Sequence, residues 1–537
     1  MPKTEQGQIS KRNNFLIHGG ILAAAGILVR IIGLAYRIPL IRIIGDEGMG
    51  YYSVAFNIYS VILLLSSYSL PLAVSKIISP CIAAEDELNA RRILKAALIY
   101  ATGIGAVCCA FMWFTADWFA DVFYRIPLCR YALKTLAPTL WVMTYLGVLR
   151  GYYQGHSTMV PTAASQIIEQ IVNAAVSVGA AYLLSRLALE QALGESVSRA
   201  YGAAGGTIGT GMGALAALLS LTFLLLRDRR RALPQTAAGP GVLPESYRSI
   251  AKALILTIIP VILSSAIYNI SGIIDAHIYA DAMTAGRGLD PADVAARYGA
   301  YTGKFKTLVN IPIAISNALS SSLIPVMSTA AAVGDKDRMN SSISTAVRYA
   351  VLIGIPASIG LTVLGGPVIT LLFGHSGPAE QMTMIGSFTV AFYSLSTVTN
   401  AVLQGMGHME LPVRHAAISL AVHVAVLFFL LRVLQMDIQA VVLSDMLFAF
   451  LMCLLNARSI AKLAGYRQEI RKTFLWPLAA GILMGLVTLG IRLALTRFTS
   501  AGSLVLCLVC IPAAVAVYAA IVLLSGSFRL SDFRRRP

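Results

Sequence analysis

The sequence predicts an all-α integral membrane protein of about 14 transmembrane helices, arranged as two pseudo-symmetric six-helix lobes and two C-terminal helices. Three observations lead to this prediction. Of the 537 residues, 57% are hydrophobic and only 12% are charged, whereas a soluble domain carries about 25% charged residues. Apolar runs of about 20 residues, the length that crosses a bilayer, recur along the whole chain. Motifs of the first half return about 250 residues later.

Fourteen spans can be placed on these apolar runs. Each is long enough to cross the hydrocarbon core as a helix, at a rise of about 1.5 Å per residue. Their approximate ranges are 17–44, 51–79, 93–116, 131–153, 160–186, 201–226, 249–280, 299–327, 346–372, 382–406, 411–433, 438–457, 474–494 and 502–525.

Basic residues mark one side of this predicted membrane protein. The net charge is +17, and Lys and Arg accumulate in both tails and after spans two, six, eight and twelve. Because cytoplasmic loops are enriched in Lys and Arg, the pattern predicts a multi-pass plasma-membrane protein with both termini in the cytoplasm. It also explains the positive charge without nucleic acid as a partner.

An internal repeat divides the chain. QGHSTMVP at 154–161 resembles QGMGHMELP at 404–412, and residues 52–56 resemble 301–305, at offsets of 249 to 251 residues. Six spans per repeat is an even number, so the repeats share one orientation and are related by an axis along the membrane normal. The predicted domains are an N-terminal lobe at 1–226, a cytoplasmic linker at 227–248, a C-terminal lobe at 249–457, and two extra helices with a basic tail at 458–537.

Three arginines lie in the first predicted span, where a charge is costly. Arg30 and Arg37 are seven residues apart, so on a continuous helix they share one face and lie about 10 Å apart. We expect this face to line a cavity that receives an anionic group, because membrane-embedded arginines face water or a partner. Arg42 is nearer the outer end and is interpreted as an interfacial residue. Pro39 is expected to kink the helix.

Two lysines lie near the start of the eighth span, in TGKFKTLVNIP. Lys304 and Lys306 point about 160° apart on a helix, so at most one faces the cavity well. Lys306 occupies the repeat position of Asn57, and all three are candidate substrate-binding residues. An ordinary interfacial lysine is the alternative for each lysine. A phosphate would receive bidentate donors from arginine and a point charge from lysine.

Three carboxylates lie inside predicted spans: Glu169 in the fifth, Asp275 in the seventh and Asp445 in the twelfth. An ionisable residue within a membrane is a functional candidate by default. Each is therefore a candidate for charge balance or for ion coupling, with Na⁺ or H⁺ as the coupling ion. For Glu169 the alternative is an internal salt bridge with Arg150.

Motifs for catalysis, for an organic cofactor or for a metal ion are absent from the sequence. No cluster of His, Cys, Asp or Glu has metal-ligand spacing, no glycine-rich phosphate loop follows a strand, and no nucleophile elbow is present. The sequence therefore predicts a protein that is not an enzyme and that needs no cofactor beyond a coupling ion.

Three stretches resemble the SpoVB/MurJ branch of the multidrug/oligosaccharidyl-lipid/polysaccharide exporter superfamily, lipid flippases of the mouse virulence factor type. They are GDEGMGYYSVAFNIY at 45–59, LPLAVSKIIS at 70–79 and, most specific, LRGYYQGHSTMVPTAASQIIEQIV at 149–172. The resemblance covers nearly the whole chain and is strongest to the Gram-positive members. It implies two lobes around a cationic cavity, alternating access, and two C-terminal helices that form a groove for lipid tails.

The resemblance also implies roles for particular residues. Arg30 and Arg37 stand where the family's first helix supplies cavity arginines, and Lys304 or Lys306 could fill the place of a cation in the eighth helix. One departure is visible, since Ile38 follows Arg37 where proteobacterial members have an acid. The implied function is that of a flippase that moves a polyprenyl-diphosphate-linked cell-wall precursor from the inner to the outer leaflet. Lipid II is the leading candidate for this precursor. Its partners would be this lipid-linked oligosaccharide, membrane lipids and cell-wall synthesis proteins.

Several alternatives stay open at this point. The substrate could be another lipid-linked polysaccharide or a sporulation-cortex precursor. A cation-coupled exporter of small molecules belongs to the same superfamily, although it needs an acidic cavity, which the arginines disfavour. A membrane enzyme that polymerises or ligates sugar lipids needs large outer loops, whereas the longest here is about 281–298.

Overall fold

The computed structural model describes residues 24–84, 86–231, 246–375, 377–499 and 502–524, and these ranges are almost entirely helical. The helices of the first part, in chain order, are α1 Ala24–Ala35, α2 Arg37–Leu63, α3 Leu70–Ala83, α4 Glu87–Trp118, α5 Arg130–Gly155, α6 Val160–Glu190, α7 Glu195–Arg231, α8 Tyr247–Arg287 and α9 Pro291–Gly299. The second part contains α10 Lys306–Val333, α11 Lys336–Phe373, α12 Pro378–Gly386, α13 Thr389–Gly405, α14 Glu410–Arg432, α15 Gln439–Ala464, α16 Trp476–Phe498 and α17 Ser503–Leu524.

The helices confirm the predicted fold class. Within the described ranges, 11 helical segments are long and apolar enough to cross a membrane. The three other predicted spans correspond to α1, to α8 and to α12 with α13. Every predicted span therefore has a helical counterpart, although residues 17–23 of the first lie outside the described residues.

The first two spans are joined without a loop. α1 ends at Ala35, and Tyr36 is a single turn residue with φ −73° and ψ −20°. Pro39 explains why one hydrogen bond is missing here, because its ring nitrogen cannot donate to the Ala35 carbonyl four residues earlier. Tyr36 itself keeps helical φ and ψ, and its backbone bonds to Ile32 and Leu40 continue the helix. A second break lies at Gly45, whose φ of 69° and ψ of −178° are non-helical. Helix geometry then resumes at once, so the predicted gap at 45–50 is helical rather than a loop.

The described helices form two compact units. One comprises the chain up to Thr284 together with Gly288–Gly299, and the other comprises Ala285–Arg287 and the chain from Ala300 onward. Buried residues of α3, α4, α5, α7 and the start of α8 form the core of the first unit. Those of α10, α11, α13, α15, α16 and α17 form the core of the second. The lobe boundaries given above, at 226 and 249, stay a prediction.

The sequence repeat is visible in the internal geometry of each unit. Tyr52 and Phe56 stack with ring centroids 5.7 Å apart, and their counterparts Tyr301 and Phe305 stack at 5.8 Å. The counterparts are related by the offset of 249 residues.

Glycine contacts between helices repeat in the same way. A Cβ on Gly155 of α5 would lie 2.9 Å from Ile78 of α3, and a Cβ on Gly405 of α13 would lie 2.5 Å from Met327 of α10. Both glycines let two helix backbones approach closely. Equivalent residues thus make equivalent contacts in the two units.

An arginine of α16 forms a hydrogen bond to the backbone of α11. Pro367 has no N–H, so the Val363 carbonyl four residues earlier lacks its helical donor. The Arg492 guanidinium donates to that carbonyl at 2.5 Å and lies 3.9 Å from the Glu380 carboxylate of α12. The Arg492 guanidinium therefore supplies the hydrogen bond that Pro367 removes from the Val363 carbonyl.

We expect Arg492→Ala to destabilise the protein by about 1–3 kcal/mol, because the carbonyl of the half-buried Val363 loses a hydrogen bond from a charged donor. Pro367→Ala in the same background supplies the missing N–H and should recover most of this loss. The exposed Arg497 of the same helix provides the control Arg497→Ala. Unfolding of the purified variants measures the effect, and a double variant as unstable as Arg492→Ala would contradict this account.

Candidate functional site

The candidate site begins with two arginines of the first membrane helix. Arg30 lies in α1 and is exposed, whereas Arg37 begins α2 and is half-buried. Tyr36 lies between them, but it keeps helical φ and ψ of −73° and −20°. Its N–H donates to the Ile32 carbonyl and its carbonyl accepts from Leu40, so the helical path between the two arginines continues as the sequence predicted. Within the described part of the chain, neither side chain forms an ion pair or a hydrogen bond. Both guanidinium groups therefore keep donors for an anionic ligand.

α1 lies beside α6 at the level of these arginines. A Cβ on Gly33 would lie 3.2 Å from the Gln170 amide nitrogen, so the small residue permits this approach. Gly33 is three residues after Arg30 and four before Arg37. Gln170 is therefore a polar neighbour of the arginine-bearing segment.

Glu169, the residue before Gln170, pairs with Arg150 of α5. The Arg150 Nη2 donates to the Glu169 Oε2 at 2.6 Å, and its Nε donates to the Ser165 hydroxyl at 3.0 Å. The two charged side chains are only 11% and 21% exposed. The salt bridge that was one alternative for Glu169 is thus formed in this conformation.

Asn57 is occupied by contacts between helices. Its Nδ2 donates to the Gly272 carbonyl of α8 at 2.9 Å and to the Tyr298 hydroxyl of α9 at 3.1 Å. Both amide hydrogens are used by these two bonds, which leaves only the Oδ1 acceptor for other partners. A phosphate oxygen is itself a hydrogen-bond acceptor, so the Asn57 Oδ1 cannot donate to it.

The two lysines of the second unit have different surroundings. Lys304 is fully buried, and its ammonium lies 3.2 Å from both the carbonyl oxygen and the Nε2 of His375. Lys306 is 38% exposed at its side chain. The expectation that the two residues point in different directions agrees with this placement, and Lys306 is the more accessible cation.

Lys306 belongs to a polar cluster around Asp445 of α15. The Lys306 ammonium lies 3.8 Å from the Asp445 carboxylate and 5.1 Å from the centre of the Tyr301 ring. Tyr393 donates to the same carboxylate at 2.7 Å, and Tyr301 donates at 3.3 Å. Asp445 is thus a buried counter-ion held in place by two tyrosines. Neither tyrosine was selected from the sequence, although Tyr301 lies in the repeated motif.

Asp275 of α8 is 97% buried, since only 3% of its surface is exposed. Two residues further on, His277 donates from its Nδ1 to the Phe123 carbonyl at 2.6 Å and stacks on the Phe123 ring. The histidine is therefore engaged in packing against Phe123. Within the described ranges, no group of three or more His, Cys, Asp or Glu side chains could hold a metal ion.

Comparison with known proteins gives the family. A profile of the polysaccharide biosynthesis protein family matches residues 16–331, which is more than half of the chain. The chain belongs to this family. A second profile, MatE, matches residues 260–429.

Two relatives of the chain align with it over nearly its whole length. The lipid II flippase MurJ of Bacillus subtilis (strain 168) is 26% identical over 511 residues, 90% of each chain. Stage V sporulation protein B of the same organism is 24% identical over 531 residues, 98% of each chain. These matches confirm the predicted SpoVB/MurJ membership.

Solved structures confirm the fold of the family member. Lipid II flippase MurJ in an inward closed conformation superposes with a TM-score of 0.69 at 14% identity, over 96% of this chain and 99% of that one. An inward-facing MATE transporter of the MOP superfamily gives 0.63 at 17% identity, over 81% and 96%. Both likenesses show that the chain has the fold of these proteins.

Proposed function

We propose that this transporter moves a polyprenyl-diphosphate-linked cell-wall precursor, with lipid II as the leading substrate, from the inner to the outer leaflet by alternating access. The observation that carries the proposal is the pair Arg30 and Arg37, whose guanidinium groups have no ion pair or hydrogen bond among the described residues. A diphosphate offers several charged oxygens, which guanidinium groups bind in a bidentate manner. The name of the MurJ relative supports lipid II as the precursor.

Lys306 is our candidate contact in the second unit. It is more exposed than Lys304, and its present partner Asp445 is 3.8 Å away, which is a loose ion pair. A diphosphate oxygen could replace the Asp445 carboxylate as the partner of the Lys306 ammonium. The carboxylate would still have hydrogen-bond partners, because Tyr393 and Tyr301 donate to it. Asp445 therefore acts in our proposal as a charge-balancing residue.

The driving force in this proposal is the membrane potential or an ion gradient. Asp275 is the candidate coupling residue for Na⁺ or H⁺, because it is buried in a membrane helix. Glu169 is a weaker candidate, since Arg150 already neutralises it. With both termini in the cytoplasm, as the distribution of Lys and Arg indicates, α9 and the end of α11 face outward.

A second candidate substrate is a lipid-linked precursor used in sporulation. It is favoured by the match to Stage V sporulation protein B, which spans 98% of both chains. Either precursor presents the same diphosphate to Arg30 and Arg37, so the sugar portion would distinguish them.

Rescue of cells depleted of their own lipid II flippase tests the proposal. We expect expression of this chain to restore growth and to restore lipid II at the outer leaflet, measured with an externally added reagent that modifies lipid II. A control strain expresses the same vector without the gene. If the protein reaches the membrane but lipid II stays inside, the lipid II assignment is wrong.

A further inference from the structure

Buried polar atoms collect at the junction between the first turns of α11 and the turn that precedes α16. They include the Asn340 Oδ1 and the Arg348 Nε of α11 and the Thr473 Oγ1 of the turn. Within the part of the chain that the structure describes, none of the three atoms has a hydrogen-bond partner. Nearly all buried polar atoms in folded proteins have one. Three exceptions around one junction point to a ligand.

α11 presents its polar residues as a stripe. Asn340, Ser344 and Arg348 follow one another at intervals of four residues, so they lie on one face of the helix over about 12 Å. The Arg348 Nη2 donates to the Glu469 carboxylate at 3.3 Å. The Arg348 Nε is buried without such a bond. One N–H of a charged group is therefore left for another acceptor, and such a donor is costly to leave unpaired.

The segment after α15 covers this stripe. Burial raises the pKa of the Tyr466 phenol, and the neighbouring Ser344, Arg348 and Gln468 oppose the rise. These influences place Tyr466 beside the stripe of α11. The π-helical turn Arg471–Leu475, which leads into α16, also contacts α11. The segment and the helix thus enclose the polar atoms between them.

Thr473 behaves unlike the threonines of α16. It is fully buried, and its backbone N–H donates to the carbonyl of Glu469 at 3.0 Å, one turn earlier. The hydroxyls of Thr488 and Thr496 donate to the carbonyls four residues before them, which is the usual bond of a threonine in a helix. The Thr473 hydroxyl makes no bond of this kind among the described residues, so it is available to a ligand.

This set of donors selects an anion with several acceptor oxygens. Arg348 offers a charged N–H and Thr473 offers a hydroxyl, and both suit the oxygens of a phosphate group. Exposed basic residues next to them make the surroundings positive: Arg467, Arg471 and Lys472. The Glu469 carboxylate is the opposing charge, and Arg348 already pairs with it.

The position of the junction favours a lipid as the source of the phosphate. Ile470, Leu475 and Trp476 are exposed apolar residues of the same segment as the three basic ones. A segment that mixes exposed apolar and basic residues is typical of the membrane interface. With both termini in the cytoplasm, as the distribution of Lys and Arg predicts, the junction lies at the inner surface. Basic pockets between membrane helices bind anionic headgroups there.

We propose that Arg348 and Thr473 form a binding site for a phosphate group, and that an anionic phospholipid of the inner leaflet supplies it. The headgroup phosphate accepts from the Arg348 Nε and from the Thr473 hydroxyl, while Glu469 holds the other end of the guanidinium. A hydroxyl of the headgroup would donate to the Asn340 Oδ1. The bound lipid connects the start of α11 with the start of α16, both in the second compact unit. The site does not depend on the transported substrate.

Lipid retention by the purified full-length protein tests this site. The protein is held in a neutral detergent and titrated with phosphatidylglycerol, and bound lipid is counted by native mass spectrometry. We expect Arg348→Leu to weaken retention about tenfold, because the charge-assisted contact is lost. Thr473→Val keeps the shape and every charge, and should weaken it about threefold. Arg227→Leu is the matched control, since it removes an exposed arginine of α7 on the same predicted side and should change nothing.

Thermal unfolding with two ligands identifies the source of the phosphate. We expect phosphatidylglycerol to raise the unfolding temperature of the wild type and of Arg227→Leu, and inorganic phosphate to leave both unchanged. A rise with inorganic phosphate that Arg348→Leu abolishes would support the site but assign it to a soluble phosphate compound. Equal retention by the wild type, Arg348→Leu and Thr473→Val would overturn the proposal, and so would a wild type that neither ligand stabilises.

Discussion

Replacing Arg30 and Arg37 together by alanine is expected to reduce outward transport of lipid II by at least about a hundredfold, because two charge-assisted contacts worth roughly 1.5–3 kcal/mol each are lost. Each single alanine variant should lose about tenfold. The measurement is lipid II at the outer leaflet of flippase-depleted cells that express each variant at equal membrane level.

The design of this experiment separates phosphate binding from general charge. Arg30→Lys and Arg37→Lys keep the charge but lose the bidentate geometry, so we expect intermediate activity. Arg42→Ala is the matched control, since Arg42 lies in the same segment and is interpreted as interfacial. Full activity of the double alanine variant, or equal loss in Arg42→Ala, would remove the arginines from the proposed binding role.

The second large effect is expected at the ion pair between Arg150 and Glu169. Glu169→Leu leaves the Arg150 charge buried without its partner and should lower the free energy of unfolding by about 3 kcal/mol or more. Replacing both residues, as Arg150→Met with Glu169→Leu, should restore most of that stability, because an apolar pair of similar volume needs no compensation. Unfolding in mixed micelles measures both variants.

A nearby pair supplies the control for this prediction. Arg186 and Glu190 form an ion pair on the same helix, but both side chains are more than half exposed. Glu190→Ala should therefore leave stability unchanged. If Glu169→Leu is equally stable yet transports nothing, Glu169 is an ion-coupling residue rather than a structural one.

Much of the fold was predictable because it depends on local sequence properties. Hydropathy located the spans, and Pro39 predicted an interruption that appears at Tyr36. The repeat of 52–56 at 301–305 predicted equivalent surroundings, and the two tyrosine–phenylalanine stacks agree with it. The first two spans were placed at 17–44 and 51–79, but Gly45 is only a break within a continuing helix.

The partners of charged residues could not be predicted in the same way. Lys306 and Asp445 are 139 residues apart in the chain, and only folding shows that α10 and α15 bring them together. Lys304 and Lys306 look alike in sequence, yet one is buried on His375 and the other is partly exposed. Arg492 was overlooked, although Pro367 leaves a free carbonyl that a nearby donor must satisfy.

Gly50 and Gly299 show a further limit of sequence reasoning. Each is a glycine in a helix, where close packing is the ordinary interpretation. Their shared offset of 249 residues was available from the sequence. Only the structure shows that the two positions touch, since a Cβ on Gly50 would lie 2.0 Å from the Ala295 carbonyl oxygen and a Cβ on Gly299 would lie 2.5 Å from the Gly50 nitrogen.

Translocation by the purified protein tests the central claim most directly. The full-length chain is reconstituted into vesicles that contain labelled lipid II, and the fraction that reaches the opposite leaflet is measured with and without an imposed membrane potential. We predict translocation by the wild type and by Arg42→Ala, and none above empty vesicles by the Arg30→Ala, Arg37→Ala variant. Failure of the wild type to move lipid II under either condition, or equal movement by the double variant, would contradict the account.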